Sequence, residues 1–540
     1  MKKDIASVVN LISLGNYAKA QSLNKELLAA YPNNPNLLKL GIQIYSLTED
    51  FAEGLEFIEK IFKNNPDTTD YDFYNNYGYF LMKSEEYEQA IYYLKKAIEI
   101  NDKLPFAFSN LAEVNLALRN FHEAKDLINR AIQKHIEKDE SFTAFYHALS
   151  MKADINTALN NNKENIEELN NYLDKYFLEN IFYLLSTIDP SQIKERDVLK
   201  AEEQLNKSIQ YKTLLERFEK TIPLHFGLAN YYGKIDKEKS EKYFHSANQE
   251  INNILRFRLY DYQKKIFEII NVYDNSFDKH IEENKTTGEN NIFIVGTPRS
   301  GTSLTESIVS SNTEVFAGGE LSSFQDLVLP LFKKDGQEHS DLILQAKQKY
   351  IKRSGFIKKD FDRIVDKFPG NFLYLGFIQK ILPSCKIIRI FRDPWDTAIS
   401  LYKQRFAKQQ PYSSSFFNLG VFFANFEAIN KYWDQYLEQK NILNIHYENL
   451  VKNEISEQVK IYDFLGLASP YESKKRKEYF AKTASIQQVQ ENVHTRSIKK
   501  SDFDDNKKEF YSALKQQRKF WVKNGFPIDE NSNFFGYEID

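Results

Sequence analysis

Two periods of hydrophobic and polar positions divide the chain, and the change between them falls between residues 277 and 291. Before it, apolar residues recur three and four apart, the spacing of one face of an α-helix, which predicts helices over nearly the whole first half. Aromatic residues punctuate this stretch: Tyr17, Phe51, Tyr87 and Phe121 stand 34, 36 and 34 residues apart. Three positions after each comes a small residue, Ala20, Gly54, Ala90 and Ala124, and Ala97 and Ala131 repeat the next small position. Small side chains in fixed register let two helices approach, so each period reads as a helical hairpin. Tyr74, Tyr77 and Gly78, then Phe108, Leu111 and Ala112, fill the first helices of the third and fourth hairpins, and Pro32 and Pro66 close the first two. After the change, short apolar runs such as Ile292 to Val295 and Ile387 to Phe391 alternate with helical stretches, which predicts parallel strands joined by helices.

A repeat of about 34 residues is that of tetratricopeptide (TPR) hairpins, which stack into a solenoid whose concave surface suits an extended polypeptide. Past Lys138 the register blurs while helical periodicity continues, and Leu228 to Asn248 resembles one more such hairpin. A polar, glycine-containing break from Asn284 to Asn290 reads as a junction. The expected organisation is four TPR repeats in residues 1–135, a helical extension with further TPR-like hairpins in 136–284, and an α/β domain with a central parallel sheet in 285–540.

The second half opens with Asn291-Ile-Phe-Ile-Val-Gly-Thr-Pro-Arg-Ser-Gly-Thr-Ser303, a buried strand, a two-glycine loop and a helix start. Gly296 and Gly301 are spaced as in the phosphate-binding pattern G-x-x-x-x-G-K-[ST], with Thr302 where that pattern has lysine. Glycines leave room for a phosphate against the main chain, and the first turn of the next helix supplies N–H donors and positive potential. Without the lysine, and with no convincing apolar strand ending in a metal-holding Asp, the parts that neutralise a γ-phosphoryl group through Mg²⁺ are missing, which disfavours an ATPase or kinase. Further along, Ile387 to Phe391 form a strand, Asp393 is placed to cap a helix, and Pro394 sits where the first helical residue needs no N–H. That places Arg392 at a strand's carboxyl end, with Ser400 two turns into the helix, as a clamp for a phosphate.

Phe293 to Leu304 resembles the 5′-phosphosulfate loop of sulfotransferases that use 3′-phosphoadenylyl sulfate (PAPS), and Lys386 to Tyr402 resembles that superfamily's 3′-phosphate segment. Within the superfamily the chain is similar to the tyrosylprotein sulfotransferase-like branch, whose bacterial members often carry TPR repeats. The resemblance implies a P-loop-like α/β sulfotransferase fold with PAPS as sulfuryl donor and no metal. It implies that Gly296, Thr297, Pro298, Arg299, Ser300, Gly301, Thr302 and Ser303 cradle the 5′-phosphosulfate and that Arg392 and Ser400 grip the 3′-phosphate. Tyr447, in Ile442 to Leu450, then lies near the nucleotide, and Ser485 and Lys500, from a looser closing segment that departs from the family at Gln490 and Glu491, reach the cofactor. Ala317-Gly-Gly-Glu-Leu-Ser322 resembles the element that supplies the catalytic base, Glu320, and Asp366-Lys-Phe-Pro369 resembles the family's Asp-Lys-x-Pro element. Lys367 and Arg299 are the candidates for stabilising developing charge, side-chain cations replacing metal ions in the transfer of a less charged group. A phenol has a reference pKa near 10, so a tyrosine acceptor needs a base as its oxygen attacks sulfur. The implied activity is sulfuryl transfer to a protein or peptide tyrosine held by the solenoid. A carbohydrate or small-molecule hydroxyl, or a TPR binding scaffold with an inactive transferase domain, stays open, as does a homodimer.

Composition adds exclusions. A net charge of −3 over 540 residues carries no nucleic-acid or membrane footprint, and the richest apolar stretch, Phe416 to Phe426, is too short to span a bilayer and holds Asn418. Met1-Lys-Lys-Asp-Ile runs into the first repeat without a secretory apolar region. One cysteine, Cys385, excludes an internal disulfide and fits a reducing, cytoplasmic setting.

Overall fold

The computed structural model describes residues 2–64, 70–138, 142–176, 178–207, 213–276, 287–321, 323–333, 339–406, 410–468 and 502–539. Pro66, Ser485 and Lys500 lie outside the described residues. The chain divides into two compact units, Met1–Ile155 and Asn156–Asp540.

The first unit is a stack of helical hairpins: α1 (Lys2–Ser13) with α2 (Tyr17–Ala30), α3 (Pro35–Thr48) with α4 (Phe51–Asn64), α5 (Tyr71–Lys83) with α6 (Tyr87–Ile100), and α7 (Phe106–Ala117) with α8 (Phe121–Lys138), followed by α9 (Phe142–Ala158). Each of the four periodic aromatics is the first residue of its hairpin's second helix. The small positions do the work their spacing foretold. Ala20, Ala90, Ala97, Ala124 and Ala131 are fully buried, and a Cβ at Gly78 would come within 2.6 Å of Leu94. The helices are TPR-like in length, pairing and register.

The second unit starts with α10 (Asn162–Lys175), α11 (Glu179–Ile188), α12 (Glu195–Lys207), α13 (Leu214–Tyr232), α14 (Lys237–Leu255) and α15 (Leu259–Ser276). A five-stranded sheet follows, made of β1 (Asn291–Gly296), β2 (Val315–Ala317), β3 (Arg363–Asp366), β4 (Lys386–Phe391) and β5 (Ile442–His446). Its order is β2-β3-β1-β4-β5 and every pairing is parallel. The helices among and after the strands are α16 (Thr302–Val309), α17 (Ser323–Val328), α18 (His339–Lys358), α19 (Leu375–Ile381), α20 (Pro394–Tyr402), α21 (Phe416–Trp433), α22 (Tyr447–Lys452), α23 (Glu454–Leu465) and α24 (Lys507–Lys523).

Both faces of the sheet are covered, as the apolar runs of β1 and of β4, the latter broken by Arg389, require. Ile292, Ile294, Ile388 and Ile390 face one core with Ile308 of α16 and Ile461 and Leu465 of α23. Phe293, Val295, Ile387 and Phe391 face the other, which also takes in Phe226 and Phe244 of α13 and α14, Ile266 of α15, and much of α21. The Phe416 to Phe426 run is therefore a core helix. Among the described residues no helix is long and apolar enough to cross a membrane.

One buried ion pair locks α21 to the chain's last described segment. Arg518 of α24 sets its Nε 2.8 Å from Glu427 Oε2, and its terminal nitrogens donate to the carbonyls of Asp529 (2.9 Å), Glu530 (3.2 Å) and Ser532 (3.0 Å). Burial lifts the Glu427 carboxyl to about 7 despite the arginine. Arg518→Met leaves that carboxyl unpaired, and protonation relieves part of the penalty, so the expected loss is about 3 kcal/mol of stability in this unit. Denaturant unfolding checks it, and a loss below about 1 kcal/mol contradicts the role given to the pair.

Candidate active site

Because all five strands run the same way, the residues that follow them collect at one edge of the sheet. Thr297 follows β1, Gly318 follows β2, Lys367 follows β3, Arg392 follows β4 and Tyr447 follows β5. Connections leave the central β1 in one direction toward β2 and β3, and β4 and β5 lie on its other side, so this edge has the crevice where ligands of open α/β sheets bind.

The loop after β1 is shaped by close approach. A Cβ at Gly296 would lie 2.7 Å from both the Ile390 carbonyl and Ser300 Oγ. Gly301 has φ +105° and a Cβ there would overlap the Tyr447 ring; Arg299 also takes a left-handed conformation, φ +70°. Gly301 is the N-cap of α16 and, being glycine, brings no side chain to cap that helix's first turn. The N–H groups of a helix's first turn and its dipole favour an anion there. Thr297, Ser300, Thr302 and Ser303 are buried, and Ser300 Oγ has no hydrogen-bond partner among the described residues. Pro298 is half-buried beside them. Buried hydroxyls around a close-packed glycine loop make a cradle that suits an anion.

The cationic side of the site is a relay. Asp393 Oδ1 accepts from the Asp396 amide at 2.8 Å and Pro394 occupies the first position of α20, as their order in the sequence led us to expect. Arg392 donates from Nη1 to the Arg299 carbonyl at 2.8 Å, and its guanidinium lies 4.4 Å from the centre of the Tyr447 ring. Arg299 in turn donates from Nε to Ser400 Oγ at 3.2 Å. Burial, with the charge of Arg392 beside it, pulls the Arg299 guanidinium down to about 10. Two guanidiniums held against each other form a site whose electrostatic cost an anion would offset. Sequence reasoning brought Arg392 and Ser400 to one phosphate but not the link through Arg299, 101 residues from Ser400.

On the other side, Lys367 Nζ lies 2.7 Å from Glu320 Oε1, with the lysine side chain fully buried and the glutamate 36% exposed. The loop that carries Glu320 is fixed at three points. The Gly318 amide donates to the Val365 carbonyl at 2.9 Å, the Lys367 amide donates to the Gly319 carbonyl at 2.8 Å, and the Gly319 amide donates to Glu306 Oε1 at 2.8 Å. Glu306, fully buried on α16, escaped sequence reasoning; its only mark is an acidic residue within the apolar positions Leu304 to Val309. Asp366 accepts from Tyr350 Oη (2.9 Å) and Asn371 Nδ2 (3.2 Å), which holds the end of β3. Glu448 accepts from the Asp393 amide at 3.0 Å and also meets Tyr537 Oη, so it braces the turn after β4. His446 is engaged with Tyr537 at 3.2 Å.

Residues 291–471 match the profile described as Sulfotransferase family. The match covers about a third of the chain. The sulfotransferase-family match holds Arg299, Glu320, Lys367, Arg392, Ser400 and Tyr447 and stops before Ser485 and Lys500. An uncharacterized protein of Aquifex aeolicus (strain VF5) is 28% identical over 286 residues, 49% of this chain and 37% of that protein; the chain thus spans little more than a third of the curated relative it matches. Among solved structures, a tetratricopeptide repeat protein from Parabacteroides merdae aligns with 46% of this chain and 92% of its own, at 14% identity and a TM-score of 0.31. A mouse sulfotransferase complexed with PAP aligns with 47% of this chain and 92% of its own, at 15% identity and a TM-score of 0.26.

Proposed function

We propose that the chain moves a sulfuryl group from PAPS to a hydroxyl, and that the acceptor is the phenol of a peptide tyrosine. The observation that carries this reading is the buried Lys367 paired with the part-exposed Glu320 at the strand ends, beside a phosphate loop that has no lysine of its own. In this reading residues 297–303 hold the 5′-phosphosulfate through backbone amides and hydroxyls, and Arg392, Ser400 and Arg299 hold the 3′-phosphate side. Glu320 takes the phenolic proton as the phenolic oxygen forms its bond to sulfur. The bond from sulfur to the 5′-phosphate oxygen breaks, its electron pair stays on the departing 3′-phosphoadenosine 5′-phosphate (PAP), and Lys367 stabilises that growing charge, with Arg299, bonded to Ser400, adding its positive charge from the 3′-phosphate side. Tyr447, stacked on Arg392 and closing over Gly301, walls the nucleotide side, and Ser485 and Lys500 are assigned to the same ligand by resemblance alone. Residues 1–135 hold the acceptor chain, 136–284 extend the helical part and 285–540 do the chemistry, in a reducing, cytoplasmic compartment.

Incubation with ³⁵S-labelled PAPS and tyrosine peptides, with glycans and simple phenols alongside, tests the acceptor. Label on peptide tyrosine supports the reading, and label confined to glycans or small phenols overturns it. Gly301→Ala is expected to weaken PAP binding by roughly tenfold or more, because the new Cβ must displace the Tyr447 ring from a backbone that only glycine adopts easily. Calorimetry with PAP reads the change, and an unchanged Kd contradicts the loop's role.

A further inference from the structure

The helix that carries Ser400 closes its last turn partly by its own backbone, the Lys403 amide donating to the Ile399 carbonyl and the Gln404 amide to the Leu401 carbonyl, and partly through another helix. Tyr402, the last residue of α20, has its carbonyl bound by Asn248 Nδ2 at 2.8 Å and its hydroxyl 2.8 Å from His245 Nδ1. Both partners belong to α14, and Asn248, 1% exposed, also donates to the Phe244 carbonyl at 3.0 Å. The last carbonyls of a helix have no partners within it, so a buried asparagine amide aimed at one of them fixes where the helix stops. Three residues on, Arg405 donates to Asn180 Oδ1 at 2.9 Å, and its guanidinium lies 5.1 Å from the centre of the Tyr183 ring. Asn180 and Tyr183 lie on α11. All four helical residues precede residue 291, where the family match begins.

We propose that α11 and α14 are positioning elements of the donor site, fixing the end of α20 so that Ser400 and Arg299 meet the 3′-phosphate of the nucleotide. The inference rests on the donor reading given above and adds a function for the last TPR-like hairpin, α13 with α14. That hairpin is part of the machinery that binds the donor.

Calorimetry with PAP on the full chain tests it, using Asn248→Ala, Tyr183→Ala and, as a control, Asn156→Ala. Asn156 is a buried asparagine on α9 whose amide donates to Asn165 Oδ1 of α10 at 2.9 Å, so its bond involves none of the helices in the proposal. The expected result is wild-type binding, a Kd raised roughly tenfold by Asn248→Ala and by Tyr183→Ala, near-wild-type affinity for Tyr183→Phe, which keeps the ring under Arg405, and no change for Asn156→Ala. Tm is measured for each variant, and binding is read well below it. Wild-type affinity in Asn248→Ala and Tyr183→Ala overturns the inference and leaves the donor reading intact. Equal weakening by Asn156→Ala overturns it too, since general loosening then explains the effect. A wild-type chain that does not bind PAP overturns the donor reading and this inference with it.

Discussion

Glu320→Gln is expected to lower the rate of sulfuryl transfer by about 10²–10⁴-fold while PAP affinity stays within about twofold. The two parts of this expectation have separate causes. Glutamine keeps the size of the side chain and an oxygen within reach of Lys367, so the 2.7 Å contact can survive as a neutral hydrogen bond and the phosphate loop is untouched. What is lost is the carboxylate proposed to accept the phenolic proton. Saturation kinetics with a tyrosine peptide, paired with PAP calorimetry, separate the two. A variant with normal kcat removes Glu320 from the chemistry, and one with lost PAP affinity makes it a binding residue instead.

Arg392→Ala is expected to weaken PAP binding by roughly 100-fold, from about 3 kcal/mol of charge-assisted hydrogen bonding. The side chain serves two purposes in the structure: it offers charge at the end of β4, and it holds the Arg299 carbonyl at 2.8 Å, which keeps the phosphate loop in its left-handed turn. Arg392→Lys restores the charge but not the fork, so it should recover only a small part of the loss. Calorimetry at two salt concentrations reads both variants. A Kd for Arg392→Lys equal to wild type would show that a point charge suffices and that the relay through Arg299 is irrelevant.

Much of this was legible in the sequence because the determinants are local. The aromatics at Tyr17, Phe51, Tyr87 and Phe121 each open their own hairpin's second helix, and where they reach the next hairpin, as Phe51 reaches Tyr79 and Phe80, the partner comes from the adjacent repeat, so their spacing carries the message. Asp393 and Pro394 cap their own helix, and Gly301 turns its own loop at φ +105°, although the Ile390 carbonyl and the Tyr447 ring that leave no room for a Cβ at Gly296 and Gly301 come from other strands' ends. The strand β2 gave no signal, because three residues are too few to show a period. Glu306 was hidden for a different reason: its partner, the Gly319 amide, belongs to a segment placed beside it only when β2 joins the sheet. The same holds for Asn248, whose partner is 154 residues away. Helical periodicity shows that α14 has an apolar face; it does not show that the face closes on the sheet's own core.

Calorimetric titration of the full chain with PAP in the presence of EDTA tests the central claim most directly: that backbone amides, two guanidiniums and a buried lysine hold an activated-sulfate nucleotide. The account predicts one saturable site whose affinity falls as salt rises. Binding of ATP with magnesium, together with no heat from PAP, would contradict it.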